Sequence, residues 1–325
     1  MTQRYPRIRF SSSRPDGERL WMREVVRLVL HLPFDHHDLA DRVGRALDVY
    51  LRAVGTGPEL FSEYDLGDEP APLREDSWER IRAELSPPLG ARFLDDLKDE
   101  DSYPYVKRGF ERTVELSSGD KGISGYGFFY WARLPWRTRI RLRDTVSMVS
   151  FSWPTEYLEE HGPRRMSELA IELASLLPFS SGHAGLAFYS PSTFCASLEG
   201  IQAEAFRYPG LDVTHGSTSL GARVDGVHWL NFLGPPVLGE VGGAVGLRTR
   251  LRSPETTVRE MDAERAVVSL GQWPEAGDLA QGHELPAYRE LARVLEPWLY
   301  ECASRYSFDG ASHEETLRWW RRFLG

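Results

Sequence analysis

Residues 146–189 constrain the fold more than any other stretch of the chain. They read as strand, helix, strand. Val146, Met148 and Phe151 lie in an apolar run that Pro154 closes. Thr155 stands where it can cap a helical turn reaching Glu159, its hydroxyl accepting an orphan backbone N–H. Gly162 and Pro163 restart the helix, with the proline in the first-turn position where a missing N–H is tolerated. Met166, Leu169, Ala170, Leu173, Ala174 and Leu177 then recur at helical spacing as one apolar stripe. Pro178 stops that helix, Ser180, Ser181 and Gly182 turn the chain, and Ala184, Leu186, Ala187 and Phe188 supply a second buried strand. The unit is core and carries no chemistry.

The same order occurs earlier. Residues 20–33 form a strand through Val25, Val26, Leu28, Val29, Leu30 and Leu32, and residues 36–54 a helix with Leu39, Val43, Ala46, Leu47, Tyr50 and Leu51 on one face. This suggests a two-lobed pseudo-repeat of strand–helix units. Short helices are expected at 77–85 and 90–98, and a hairpin from 105–116 and 123–134. Further on, a helix is expected at 194–206, strands at 247–252 and 266–270, and helices at 286–300 and 316–323. Strands and helices in mixed order predict an α+β fold, with mixed or antiparallel sheet covered by helices. No low-complexity linker divides the chain. The expectation is therefore one domain over residues 1–325, with sub-lobes at 1–140 and 141–325.

Charge is distributed unevenly. The chain has a net charge of −9, and residues 59–101 carry 14 acids against five bases, so that segment holds the whole imbalance. Such a patch repels nucleic acid and attracts basic surfaces, or merely keeps an exposed connection solvated. No run of 18 apolar residues is present, which predicts no membrane span. The first twenty residues lack the apolar stretch of a secretory signal, and the two cysteines, Cys195 and Cys302, cannot build a disulfide framework. The expected compartment is the cytoplasm.

Motifs of chemistry are weak. His36 and His37 are adjacent and lack the spacing of a metal site. Gly234, Gly239, Gly242, Gly243 and Gly246 match no phosphate loop, and Pro235 and Pro236 remove backbone donors where a cradle needs them. They are expected to form a turn between two strands. Ser180, Ser181 and His183 are neighbours in sequence without a nucleophile elbow, and Cys195 near a helix start lacks a local partner signature. The expectation is no catalytic, cofactor-binding or metal-binding residue, and no cofactor.

Several blocks, in order, resemble a known family: VSFSWPTEYLEEHGP, ELAIELASLLPFSSGHAGLAF, GVHWLNFLGPPVLGEVGG and LPAYRELARVLEPWLY. Across residues 108–300 the chain resembles the type VI immunity proteins of TsiV type, whose named role is protection against VRR-Nuc nuclease effectors. The resemblance implies a cytoplasmic protein that binds and blocks a toxin, a basic nuclease domain, with no direct contact to nucleic acid or membrane. It carries over no catalytic residue. A nuclease presents basic surface to phosphates, so an acidic inhibitor surface complements it. The expected contact comprises Asp65, Asp68, Glu69, Asp95, Asp96, Asp99, Glu100 and Asp101, with Tyr64, Trp78 and Tyr103 as aromatic anchors. Two alternatives are an enzyme with a pocket around His228, Trp229 and Asn231, and an oligomeric scaffold protein.

Overall fold

One strand, β2 (Gly17–Leu32), is sixteen residues long and forms the axis of the molecule. Its β-branched and leucine-rich sequence suits a strand buried on both faces. The computed structural model describes residues 5–14, 17–67, 69–86, 111–118, 123–134, 144–189, 199–214, 216–301 and 312–325. The short β1 (Arg9–Arg14) pairs with the outer half of β2. The helix α1 (His36–Val54) follows, then β3 (Glu63–Asp65), β4 (Ala71–Pro72) and α2 (Ser77–Glu84). Next come β5 (Glu111–Ser117), β6 (Gly127–Arg133), β7 (Ser147–Pro154), α3 (Thr155–Ser175) and β8 (Ser181–Tyr189). The C-terminal part adds α4 (Glu199–Arg207), β9 (Leu230–Leu233), α5 (Val237–Glu240) and α6 (Gly243–Arg250). It closes with β10 (Thr256–Glu260), β11 (Ala266–Leu270), α7 (Pro286–Leu295) and α8 (His313–Trp320).

The eleven strands among the described residues join one antiparallel sheet in the order β10-β11-β9-β8-β2-β7-β6-β5-β3-β4, with β1 on β2. The expected α+β class is what the chain adopts. No helix among the described residues is long and apolar enough to cross a membrane.

Side chains on a strand alternate between faces, so β2 presents two different surfaces. Val26, Leu28 and Leu30 stand beside Trp153, Phe151 and Val149 of β7. The Tyr50 ring of α1 packs on that face, with its centroid 5.3 Å from both Phe151 and Trp153. Burying one aromatic side chain of this kind contributes roughly 1.5–3 kcal/mol. The hydroxyl of Tyr50 donates to the Ser152 carbonyl at 2.6 Å and accepts from the Gly127 N–H at 3.2 Å, tying α1 to β6 and β7. Glu24, fully buried, accepts from the Arg9 guanidinium and from the Thr155 hydroxyl, joining β1, β2 and α3. A second apolar core lies under β9 and β11, where Leu233, Leu247, Val268, Leu291 and Leu295 meet.

Several local expectations are corrected. Thr155 caps no helix; its hydroxyl goes to Glu24. The break and restart expected at Gly162 and Pro163 are present, because Gly162 leaves helical geometry with φ of 77° inside α3. Ser181 and Gly182 belong to β8 instead of a turn. Residues 247–252 are not a strand, because Leu247 lies in α6 and Leu251 caps it, four residues apart and both buried. The Gly/Pro stretch leads from β9 into α5 and α6, a strand-to-helix passage instead of a turn between strands. β1, β3, β4 and β10 carry little apolar pattern and gave no signal. The predicted helix at 90–98, Cys195 and Cys302 lie outside the described residues.

Tyr50→Phe removes both of its hydrogen bonds while keeping the ring. The expected loss is about 1–3 kcal/mol, since the Gly127 N–H and Ser152 carbonyl are left without it in the interior. Urea denaturation of the two proteins measures it, and an unchanged midpoint would show that the hydroxyl contributes nothing.

Candidate functional site

The other face of β2 is polar. Arg27 and His31 project from it, opposite Gly185 and Ser181 of β8, and His183 of β8 stands opposite Asn231 of β9. The irregular chain between α4 and β9 lies over this face. Its Asp212 docks by backbone, donating to the Leu186 carbonyl at 2.8 Å and accepting from Phe188 N–H at 3.0 Å. The Asp212 carboxylate then accepts from the Arg27 guanidinium at 2.8 Å and from the Thr214 N–H and hydroxyl at 2.8 and 2.7 Å. His183 Nε2 is 3.3 Å from the same carboxylate. The His228 ring stacks on His183 with centroids 3.9 Å apart, an approach that the missing side chain of Gly185 permits. Asn231 accepts from the His228 N–H at 2.9 Å and donates to its carbonyl at 2.7 Å, closing that turn.

Arg27, His31, His183, Asp212, Asp225, His228 and Asn231 are buried, and burial controls the charges of the cluster. Burial pushes the Asp212 carboxyl up, but Arg27 and the His183 hydrogen bond overrule it and hold it well below the usual range. Asp225 lacks such donors. Among the described residues neither of its oxygens accepts a hydrogen bond, and burial pushes its carboxyl up to about 6. His31, with Nε2 3.9 Å from Asp225, is lowered to about 3 by burial and then by His183. Burial also lowers His228 well below its ordinary value, and it brings Arg322, at the end of the chain, down to about 10.

His183, Asp212 and His228 bring three potential metal-ligand atoms within 4.8 Å of one another. Their arrangement does not suit a single ion. Imidazole lone pairs lie in the ring plane, so two rings stacked at 16° direct them nearly parallel instead of to one point. Asp212 is committed to Arg27 and Thr214. Two guanidiniums, Arg27 and Arg322, already accompany the two carboxylates, Asp212 and Asp225. The cluster fastens layers together. His228, Trp229 and Asn231 are all buried, and the Asn231 amide is turned on the His228 backbone.

The described part of the acidic segment, residues 59–67 and 69–86, lies at the end of the sheet that β4 closes. Asp65 ends β3, where its carboxylate accepts from the Gly67 N–H at 2.6 Å. Glu69, Glu75, Asp76 and Glu79 are exposed around β4 and the start of α2. Trp78 is half-buried against the core and Tyr64 is buried, which leaves Tyr64 little area to offer a partner. Glu84 is held by Arg112 at 3.2 Å, and Arg82 reaches Asp48 at 3.0 Å. The structure thus brings Asp65, Glu69 and Trp78 to one end of the sheet. Asp68, Asp95, Asp96, Asp99, Glu100, Asp101 and Tyr103 lie outside the described residues. Sequence reasoning missed the buried polar face, although Arg27 and His31 inside an otherwise apolar strand are its signal.

A family model described as type VI immunity for VRR-NUC matches residues 43–323. Among solved structures, a type VI secretion system protein of Pseudomonas aeruginosa superposes with a TM-score of 0.71 at 21% identity. The alignment covers 97% of this chain and 87% of that one, and at this identity the likeness concerns the fold. No curated protein matches the chain.

Asp225 makes stability depend on pH in a definite direction. Its folded pKa of about 6 lies above the ordinary carboxylate value of 3.8, so its contribution is complete below 3.8 and lost as pH rises through 6. Asp225→Asn is therefore expected to stabilise the protein by about 3 kcal/mol at pH 8 and by little at pH 4. His31 acts oppositely in the wild type, costing stability as pH falls from 6.5 toward about 3, and the difference between the two proteins cancels that. Denaturant midpoints measured from pH 4 to 8 check this. A difference that does not grow with pH would contradict it.

Proposed function

The chain belongs to the TsiV family, described as type VI immunity for VRR-NUC, and from that premise we propose that it binds a cognate nuclease effector and occludes it without catalysis. The observation that carries this reading is the family match, which spans most of the chain. Physical chemistry supplies the manner. A nuclease that grips a phosphate backbone needs a basic groove. An acidic protein surface competes for that groove, accelerates encounter and is itself repelled by nucleic acid. The exposed acids Glu69, Glu75, Asp76 and Glu79 support placing the contact at the β4 end of the sheet. The remaining acids from Asp95 to Asp101 and the side chains Asp65, Asp68, Trp78 and Tyr103 belong to the same proposed surface.

A cytoplasmic location follows from this reading, since that is where an incoming nuclease finds its substrate. The unbroken sheet supports taking residues 1–325 as one domain, with strand–helix sub-lobes inside it. An enzyme centred on His228 and Asn231 receives no support, because the Asn231 amide is taken up by the His228 backbone and the His228 ring is buried against His183.

The test is co-expression with the effector encoded by the neighbouring gene, together with binding kinetics of the purified pair. Wild type is expected to relieve toxicity. Reversing Glu69, Glu75, Asp76 and Glu79 to lysine is expected to slow association roughly tenfold at low salt, with the gap narrowing as salt rises. Equal association rates for both proteins at every salt concentration would move the contact elsewhere.

A further inference from the structure

One pair in the buried polar face sets acceptor against acceptor. The hydrogen bonds around His31 determine which of its ring nitrogens carries the hydrogen. The Ser181 hydroxyl donates to the Arg223 carbonyl at 3.0 Å. Having given its only hydrogen there, that hydroxyl can only accept, and His31 Nδ1, 3.4 Å away, is its donor. The network thus assigns His31 the Nδ1–H tautomer and leaves Nε2 as a bare lone pair. Among the described residues Nε2 makes no hydrogen bond, and neither does either oxygen of Asp225, one of which lies 3.9 Å from it. The Ser217 carbonyl, beside the same ring, is a further acceptor.

The cations nearby do not relieve this. Arg27 donates to Asp212 and to the Phe188 carbonyl. Arg322 donates to the Pro209 and Trp319 carbonyls and acts on Asp225 only through its field. His183 Nε2 is turned to Asp212, and His228 stacks on His183. Asp225 itself cannot turn away. Its segment is held by the Gly221 N–H on the Asp144 carbonyl at 2.7 Å and the Val224 N–H on the Trp298 carbonyl at 2.9 Å. The Tyr300 N–H closes the strap on the Val224 carbonyl at 2.8 Å. A lone pair and a carboxylate held face to face out of water repel unless a hydrogen stands between them.

We infer that His31 and Asp225 form a buried proton-binding site, which takes one proton from solvent onto the Asp225 carboxylate, whose O–H then donates to His31 Nε2. No other bond breaks. The Asp225 carboxyl, raised to about 6, and the His31 ring, lowered to about 3, agree that the proton resides on the carboxylate. Ser181 is the positioning residue, since its hydroxyl fixes the tautomer. The site makes the polar face tolerant of acid. A histidine buried alone is drawn out to water as pH falls below its ordinary value of 6.5. Here its neighbour takes the proton first, and the Arg27–Asp212 pair is spared. The site is independent of the immunity reading.

The experiment uses the full chain, labelled for NMR at the histidine ring nitrogens and the aspartate carboxyl carbons and titrated from pH 8 to 4.5. His31 is expected to carry its hydrogen on Nδ1 throughout, while the Asp225 carboxyl titrates near 6. Ser181→Ala frees the ring to place its hydrogen on Nε2 and donate to the ionised carboxylate. The Asp225 midpoint is then expected to fall by about one pH unit, which a purely structural role of Ser181 would not produce. Exchange of the Val224 and Tyr300 amides, corrected for intrinsic rates, reads the strap. Between pH 8 and 5 their opening is expected to rise roughly thirtyfold in Asp225→Asn, where His31 meets acid alone, and only about threefold in wild type. Hydrogen on His31 Nε2 at pH 8, or an Asp225 carboxyl titrating near its ordinary 3.8, would overturn the site. The same pH dependence of strap exchange in wild type and Asp225→Asn would overturn it as well.

Discussion

The ion pair between Arg27 and Asp212 is the constraint around which the second half of the molecule is arranged. Both side chains are buried, Arg27 at the middle of the longest strand and Asp212 on a segment with no regular structure of its own. A buried guanidinium without its partner costs several kcal/mol, so the strand cannot be covered by apolar chain alone. Asp212 must come to it, and the Asp212 backbone then pairs with β8 on the way. Once that segment is in place, His228 can stack on His183, Asn231 can close the turn into β9, and Arg322 can approach Asp212 and Asp225 from the end of the chain. A long irregular stretch is thereby ordered through polar contacts rather than through its own secondary structure.

This explains which parts of the fold were legible in the sequence. The helix at His36–Val54 and the strand at Ala266–Leu270 coincide with their expected bounds, because each has a strong period and clear ends. The order strand, Pro154, helix, strand was likewise visible in residues 146–189. Elements that failed to show are those whose reason lies elsewhere. β1 exists because Glu24 binds Arg9 and because β2 overhangs its neighbours. β10 is an exposed edge strand, held by Arg248 on the Val258 carbonyl, with only one apolar residue in five. α6 places Leu247, Leu251 and Ala244 inward, and the intervening arginines imitate the alternation of a strand.

The candidate sites were legible to different degrees for a similar reason. Net charge is a property of composition, so the acidic stretch could be seen without any structure. Which of its acids are presented is a property of packing. Tyr64 turns inward and Trp78 half inward, while Glu69, Glu75, Asp76 and Glu79 stay at the surface. The polar cluster was hidden because its members come from four separate parts of the chain. Histidine 31, histidine 183 and histidine 228 share no spacing, and only the register of β2 with β8 makes the first two neighbours. The Gly/Pro stretch was visible as unusual text, but its passage from β9 into α5 and α6 could not be read from it, because the turn between strands it suggested has the same composition.

A sheet covered on both faces leaves a protein of this design few places to act. Helices α1 and α3 occupy one face of the central strands, and the Asp212 segment with the end of the chain occupies the other. Both coverings are fastened by buried polar contacts, which tolerate neither displacement nor an inserted partner without leaving charges unpaired. The two ends of the sheet are under no such restriction. One end is short and acidic, with Pro72 in a two-residue edge strand that discourages another strand from adding to it. The other end has its edge carbonyl taken by Arg248. A partner strand would therefore meet an interrupted ladder at each edge, at Pro72 on one and at the Val258 carbonyl on the other.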